Sequence, residues 1–120
     1  MAFIGPGVAV AWCNMSPAAG TTPRGSYGIS SLTDLGLSYF RFNFSSSLSD
    51  NDYSVVATSG NAGTQEGLGV NVYSNQSGYS DAAVNAAMNT SYVQLGVFYD
   101  NARGGFTEND NYLICMAVFH

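Results

Sequence analysis

The chain has 120 residues, enough for one domain built around one core. Only 9% of them are charged, lysine is absent and the net charge is −5, which argues against nucleic acid, because binding phosphates takes clustered cations that displace counterions. A hydrophobic share of 46% excludes a disordered chain, and no apolar run approaches the roughly 20 residues of a membrane-spanning helix.

The chain opens on Met1–Gly7, which lacks the basic segment of a secretory leader and is interrupted by Gly5-Pro6-Gly7. A first strand is expected at Val8–Cys13, followed by the polar connector Met15–Arg24 and a second strand at Tyr27–Thr33. Asp34-Leu35-Gly36 supplies turn chemistry, since glycine accepts positive φ without a steric penalty. The next strand, Ser38–Phe44, carries Phe40, Phe42 and Phe44 at every second position. Only a pleated strand places such a triple on one face, so these rings are expected in the core, with Tyr39, Arg41 and Asn43 facing outward or toward a neighbouring subunit.

Ser45–Asp52 is a polar connector in which Asp50 and Asp52 read as ordinary turn residues. Strands follow at Tyr53–Thr58, Gly67–Tyr73, Tyr92–Tyr99 and Tyr112–Phe119, separated by the long connectors Ser59–Glu66, Ser74–Ser91 and Asp100–Asn111. Asp81–Met88 is the one hint of helix, a turn or two with Asp81 as its N-cap. The pattern predicts an all-β chain: an antiparallel β-sandwich of about seven strands, forming a single domain over residues 1–120.

Both terminal strands are apolar on both faces. In Val8–Cys13, Val8, Val10 and Trp12 alternate with Ala9, Ala11 and Cys13; in Tyr112–Phe119, Tyr112, Ile114, Met116 and Val118 alternate with Leu113, Cys115, Ala117 and Phe119. A sandwich strand with water on one side normally alternates with polar residues, so these strands call for a second cover, and a neighbouring copy is the natural one. Ala9, Ala11, Leu113, Ala117 and Phe119 are the residues expected near that contact.

Catalytic chemistry is hard to assemble from this chain. His120 is the only histidine, and one histidine with two cysteines forms no zinc-type spacing. Asp100, Glu108 and Asp110 follow no calcium-loop pattern, so neither a metal nor a cofactor is expected. Binding chemistry is better represented. Tyr99, Asp100, Asn101, Arg103 and Phe106 gather an aromatic platform, a carboxylate, an amide and a guanidinium in one connector, and Tyr73, Asn75 and Tyr79 form a second cluster. Such groups suit a saccharide or a polar protein epitope, and they suit edge packing in an ordinary loop equally well.

Several segments resemble the C-terminal (tip) β-domains of tail-fibre proteins of marine tailed phages. Ser30-Ser31-Leu32-Thr33-Asp34-Leu35-Gly36, Phe42-Asn43-Phe44 and Asn51-Asp52-Tyr53-Ser54-Val55-Val56 follow that family's order of turn, aromatic strand, acidic turn and Tyr-led strand. Ala9–Asn14, with Trp12, is similar to its opening strand, and Met116–Phe119 to its closing one. The match covers about half of the chain and departs at Cys13, Leu35 and Arg41. The resemblance implies a non-enzymatic virion adhesin, a homotrimer attached to fibre or baseplate proteins, that presents loops to a host surface receptor such as a glycan. It further implies assembly in the reducing cytoplasm of a bacterial host, where Cys13 and Cys115 are expected as free thiols unless the terminal strands bring them into bonding geometry. A structural or head-decorating fibre domain, a free bacterial lectin and a glycan-trimming enzyme are the rival readings.

Overall fold

The computed structural model describes residues 8–16, 20–36, 39–61, 68–72, 85–101, 105–107 and 112–120. Within them the chain is nearly all β and forms two antiparallel sheets. The strands are β1 (Ala9–Met15), β2 (Pro23–Tyr27), β3 (Ile29–Gly36), β4 (Tyr39–Phe44), β5 (Ser54–Asn61), β6 (Leu68–Val72), β7 (Met88–Asn89), β8 (Tyr92–Asn101), β9 (Gly105–Thr107) and β10 (Tyr112–Phe119). A four-stranded sheet runs β2-β1-β10-β5, so strands from both ends of the sequence lie at its centre. A six-stranded sheet runs β3-β4-β8-β6, with β7 and β9 also pairing with β8.

The two sheets close on one core. The larger sheet contributes Phe40, Phe42 and Phe44 from β4 with Val93, Leu95 and Val97 from β8, and the smaller contributes Cys13, Met15, Ile114, Met116 and Val118. The aromatic triple is therefore inward, as its spacing predicts, and Phe42 is fully buried. Tyr53 stands edge-on to Phe44 with ring centroids 5.7 Å apart, and its hydroxyl donates toward the backbone oxygens of Asn89 (3.2 Å) and Tyr92 (3.0 Å). A buried phenol needs such acceptors, and here they tie the residue leading into β5 to β7 and β8 of the other sheet.

Four details differ from the sequence expectation. The stretch Tyr27–Thr33 is two strands, because Gly28 adopts φ +67° between β2 and β3. A side chain there would bring its Cβ within 2.5 Å of the Val10 carbonyl oxygen, so the bend depends on glycine. Asp34-Leu35-Gly36 closes β3 instead of standing outside it, yet it keeps its turn chemistry: Gly36 N donates to Asp34 Oδ1 at 2.9 Å, and the register shifts there. The connector after Tyr99 is partly strand, since β8 continues to Asn101 and β9 pairs back on it. Of the expected helical turn, residues 85–87 are helical and Met88 already begins β7; Asp81 lies outside the described residues.

Cys13 and Cys115 lie on adjacent strands but at opposite parity. Cys13 is buried in the core, Cys115 belongs to the outward set of β10, and both are free thiols. Burial, with a smaller contribution from Cys115, pushes the Cys13 thiol up to about 11.

Candidate functional site

The outer faces of the two sheets differ in kind. On the larger sheet, the positions between the buried phenylalanines carry Tyr39, Arg41 and Asn43, flanked by Thr33 and Ser31 on β3 and by Gln94 and Tyr92 on β8. Arg41 lies 4.1 Å over the Tyr92 ring, and its Nε and Nη2 donate to Gln94 Oε1 at 3.2 and 2.9 Å. Asn43 Nδ2 reaches Ser31 Oγ and Thr33 Oγ1, each at 3.0 Å. Polar groups that bond one another across strands make this face self-sufficient in water.

The smaller sheet's outer face is apolar along β1 and β10 apart from Asn14, with Ser54 and Thr58 on either side of Val56 on β5. The cross-strand pairs Tyr27–Trp12, Trp12–Ala117 and Ala117–Val56 form one row across all four strands. Trp12 is 42% exposed and Val56 58% exposed. Val10, also exposed, stands beside this row on β1, and Leu113 and Phe119, both half-buried, continue it along β10. The indole of Trp12 lies across β2 at Gly25, where an added Cβ would sit 3.4 Å from the ring. A large aromatic side chain left on the outside of a central strand is unusual for a monomer in water.

This arrangement places the interface candidates individually. Leu113, Ala117 and Phe119 lie on the outward face of β10. Ala9 is half-buried at a register shift. Ala11 is a correction: it is 2% exposed, inside the core, and so faces away from any neighbour. The phase of β1 is opposite to the expected one because the inter-sheet space is already filled by three phenylalanines. Small Ala11 and Cys13 fit against them, and the indole of Trp12 is left outside. Alternation along β1 shows the two faces but not which of two apolar sets goes inward.

The recognition candidates fall in different places. Tyr99, Asp100 and Asn101 end β8, and Phe106 lies in β9 directly across from Asp100, so the backbone joins these positions in one hairpin. Leu68 of β6 pairs with Tyr99 on the other edge of β8. Arg103, Tyr73, Asn75 and Tyr79 lie outside the described residues. Val72, the residue before Tyr73, pairs with Leu95. Leu95 is about 20 Å along β8 from Asn101 at roughly 3.3 Å per residue, so the described backbone does not bring the two clusters together.

Ionic chemistry among the described residues is sparse. His120 Nε2 and Asp50 Oδ1 are 2.8 Å apart, and the hydrogen bond from His120 followed by that from the Asp52 backbone N–H holds the Asp50 carboxyl below the usual carboxylate range. No group of three or more His, Cys, Asp or Glu side chains that could hold a metal occurs among the described residues. No described helix is long and apolar enough to cross a membrane. No protein-family model, curated protein or solved structure matches this chain.

Proposed function

We propose that the chain is a non-enzymatic fibre-tip module of a tailed phage, a homotrimer that packs through the outer face of β1, β10 and β5 and presents loops to a host surface receptor. The observation that carries this reading is the apolar row Trp12, Ala117 and Val56 across β1, β10 and β5. It lies on a sheet whose central strands β1 and β10 have no polar outer side apart from Asn14, and it contrasts with the hydrogen-bonded polar face of the other sheet. A face of that kind favours self-association over solvent. The resemblance to fibre tips adds the number three, the virion location after assembly in the bacterial cytoplasm, and attachment to fibre or baseplate proteins. The segments that carry it, Ser30–Gly36, Phe42–Phe44 and Asn51–Val56, fall on β3, β4 and the entry to β5.

In this reading the hairpin carrying Tyr99, Asp100, Asn101 and Phe106, together with Arg103, contacts the receptor, and Tyr73, Asn75 and Tyr79 supply a second contact. Arg103, one of three basic residues in an acidic chain, is suited to an anionic group such as an acidic sugar. Sedimentation equilibrium of the purified domain tests the assembly, with a trimer expected at micromolar concentration; a folded monomer would sink it. Competition between the domain and intact phage for host cells tests the adhesin. Arg103→Ala is expected to keep fold and assembly while weakening that competition about tenfold, the size of one lost charge-assisted contact.

A further inference from the structure

A groove of about 450 Å³ opens at the end of the sandwich where β2 ends and β4 leaves the larger sheet. This is the end opposite the β8–β9 hairpin, since β4 and β8 are antiparallel and Asn43 pairs with Tyr92 at the start of β8. Its construction follows from Gly28. The positive φ of that residue turns the chain from β2 into β3 against the backbone of β1, and its carbonyl oxygen then accepts the Ser45 N–H at 2.9 Å. Two further backbone bonds, Phe44 N to Ser91 O at 2.9 Å and Leu48 N to Thr90 O at 2.8 Å, strap the connector after β4 in place. The groove is thus formed by the fold itself.

Its lining mixes two chemistries: Tyr27, 63% exposed, Val10 and buried Phe44 on the apolar side, and Ser45, Ser46 and Ser47 on the polar side. Ser47 Oγ has Ser91 Oγ at 3.4 Å, whereas the hydroxyls of Ser45, Ser46 and Tyr27 have no hydrogen-bond partner among the described residues. No carboxylate, ammonium or guanidinium is among the described residues that line the groove.

We infer that this groove binds a neutral saccharide, with one sugar face against Tyr27 and its hydroxyls bonded to Ser45 and Ser46. An aromatic ring and serine hydroxyls in one groove, those of Ser45 and Ser46 without a partner among the described residues, match the two chemistries of a pyranose, whose C–H face is apolar and whose rim both donates and accepts. A volume of a few hundred Å³ suits one or two sugar rings. An anionic ligand finds no cation here and meets a chain of net charge −5. A wholly apolar ligand would strip water from three serines without replacing it. The site does not rest on the fibre reading, and it lies away from the hairpin given to the receptor above.

The test is NMR of the assembled protein titrated with the methyl glycosides of glucose, galactose, mannose and N-acetylglucosamine, with N-acetylneuraminic acid as the anionic control. At least one neutral glycoside is expected to bind saturably, at about millimolar affinity for so shallow a site, and to shift the amides of Tyr27 and Ser45–Leu48. Tyr27→Ala and the double variant Ser45→Ala/Ser46→Ala are each expected to weaken binding about tenfold, with the amide spectrum of the Phe40–Phe44 strand unchanged. Absence of saturable binding by every neutral probe would overturn the inference. So would full affinity in Tyr27→Ala, preference for the anion, or Tyr27 buried between subunits. Shifts confined to Tyr99–Thr107 would overturn it while leaving the receptor hairpin standing.

Discussion

Individual residues divide by how much of their role is set locally. Phe42 sits at 0% exposure between the sheets, and its truncation removes a buried ring whose neighbours cannot fully collapse. Phe42→Ala is expected to cost about 3–5 kcal/mol in urea unfolding. Two buried acids give the protein an alkaline limit. Burial raises Cys13 to about 11 and, as the larger effect, Tyr53 to about 12, with Tyr92 adding to the latter. Both groups are neutral when folded and ionise more readily when unfolded, so their stabilisation is whole below the unfolded values and is lost as pH rises through the folded ones. The urea midpoint is therefore expected to fall between about pH 9 and 12, and Tyr53→Phe should flatten that slope. A midpoint independent of pH over that range would contradict the burial of both groups. Arg41 is a different case. Its stacking on Tyr92 and its bonds to Gln94, 53 residues away in sequence, are long-range, so nothing near position 41 announces them.

At the level of elements, β2 and β3 show how one residue decides what a run becomes. The apolar alternation from Tyr27 onward reads as one strand, but Gly28 breaks it into two, one in each sheet. Gly28→Ala would strain a positive-φ backbone, which alone costs about 1–3 kcal/mol, and would also set a Cβ against the β1 backbone. Gly36, at φ +134°, would carry backbone strain as well, but its Cβ would meet nothing within 4 Å, so Gly36→Ala is expected to cost less by the missing clash, which thermal unfolding of the pair would show. The hairpin β8–β9 is a second instance. Gly105-Phe106-Thr107 is too short to register as a strand from its residues, and it forms because β8 extends past β4 and leaves an edge to pair with. The candidate recognition residues Tyr99 and Phe106 thus stand on a paired ribbon and not in an open loop.

For the whole molecule, the contrast between an apolar and a polar outer face is the property with the widest consequence. Trp12→Ser combined with Val56→Ser lies on the exposed face, so the subunit fold should change by no more than about 1 kcal/mol. The proposed assembly should nevertheless give way to monomer in sedimentation. Retention of the assembly would move the contact elsewhere. The amino-acid sequence by itself determined the all-β class and the inward parity of β4, because period-two alternation is local and needs no partner to be read. It could not orient β1 or β10, where both alternating sets are apolar. Only the tertiary structure decided that Ala11 and Cys13 go inside and Trp12 outside, since that depends on the volume the phenylalanines of the opposite sheet leave over. It also decided the groove between Tyr27 and Ser45–Ser47, because a concavity belongs to segments brought together from distant parts of the chain.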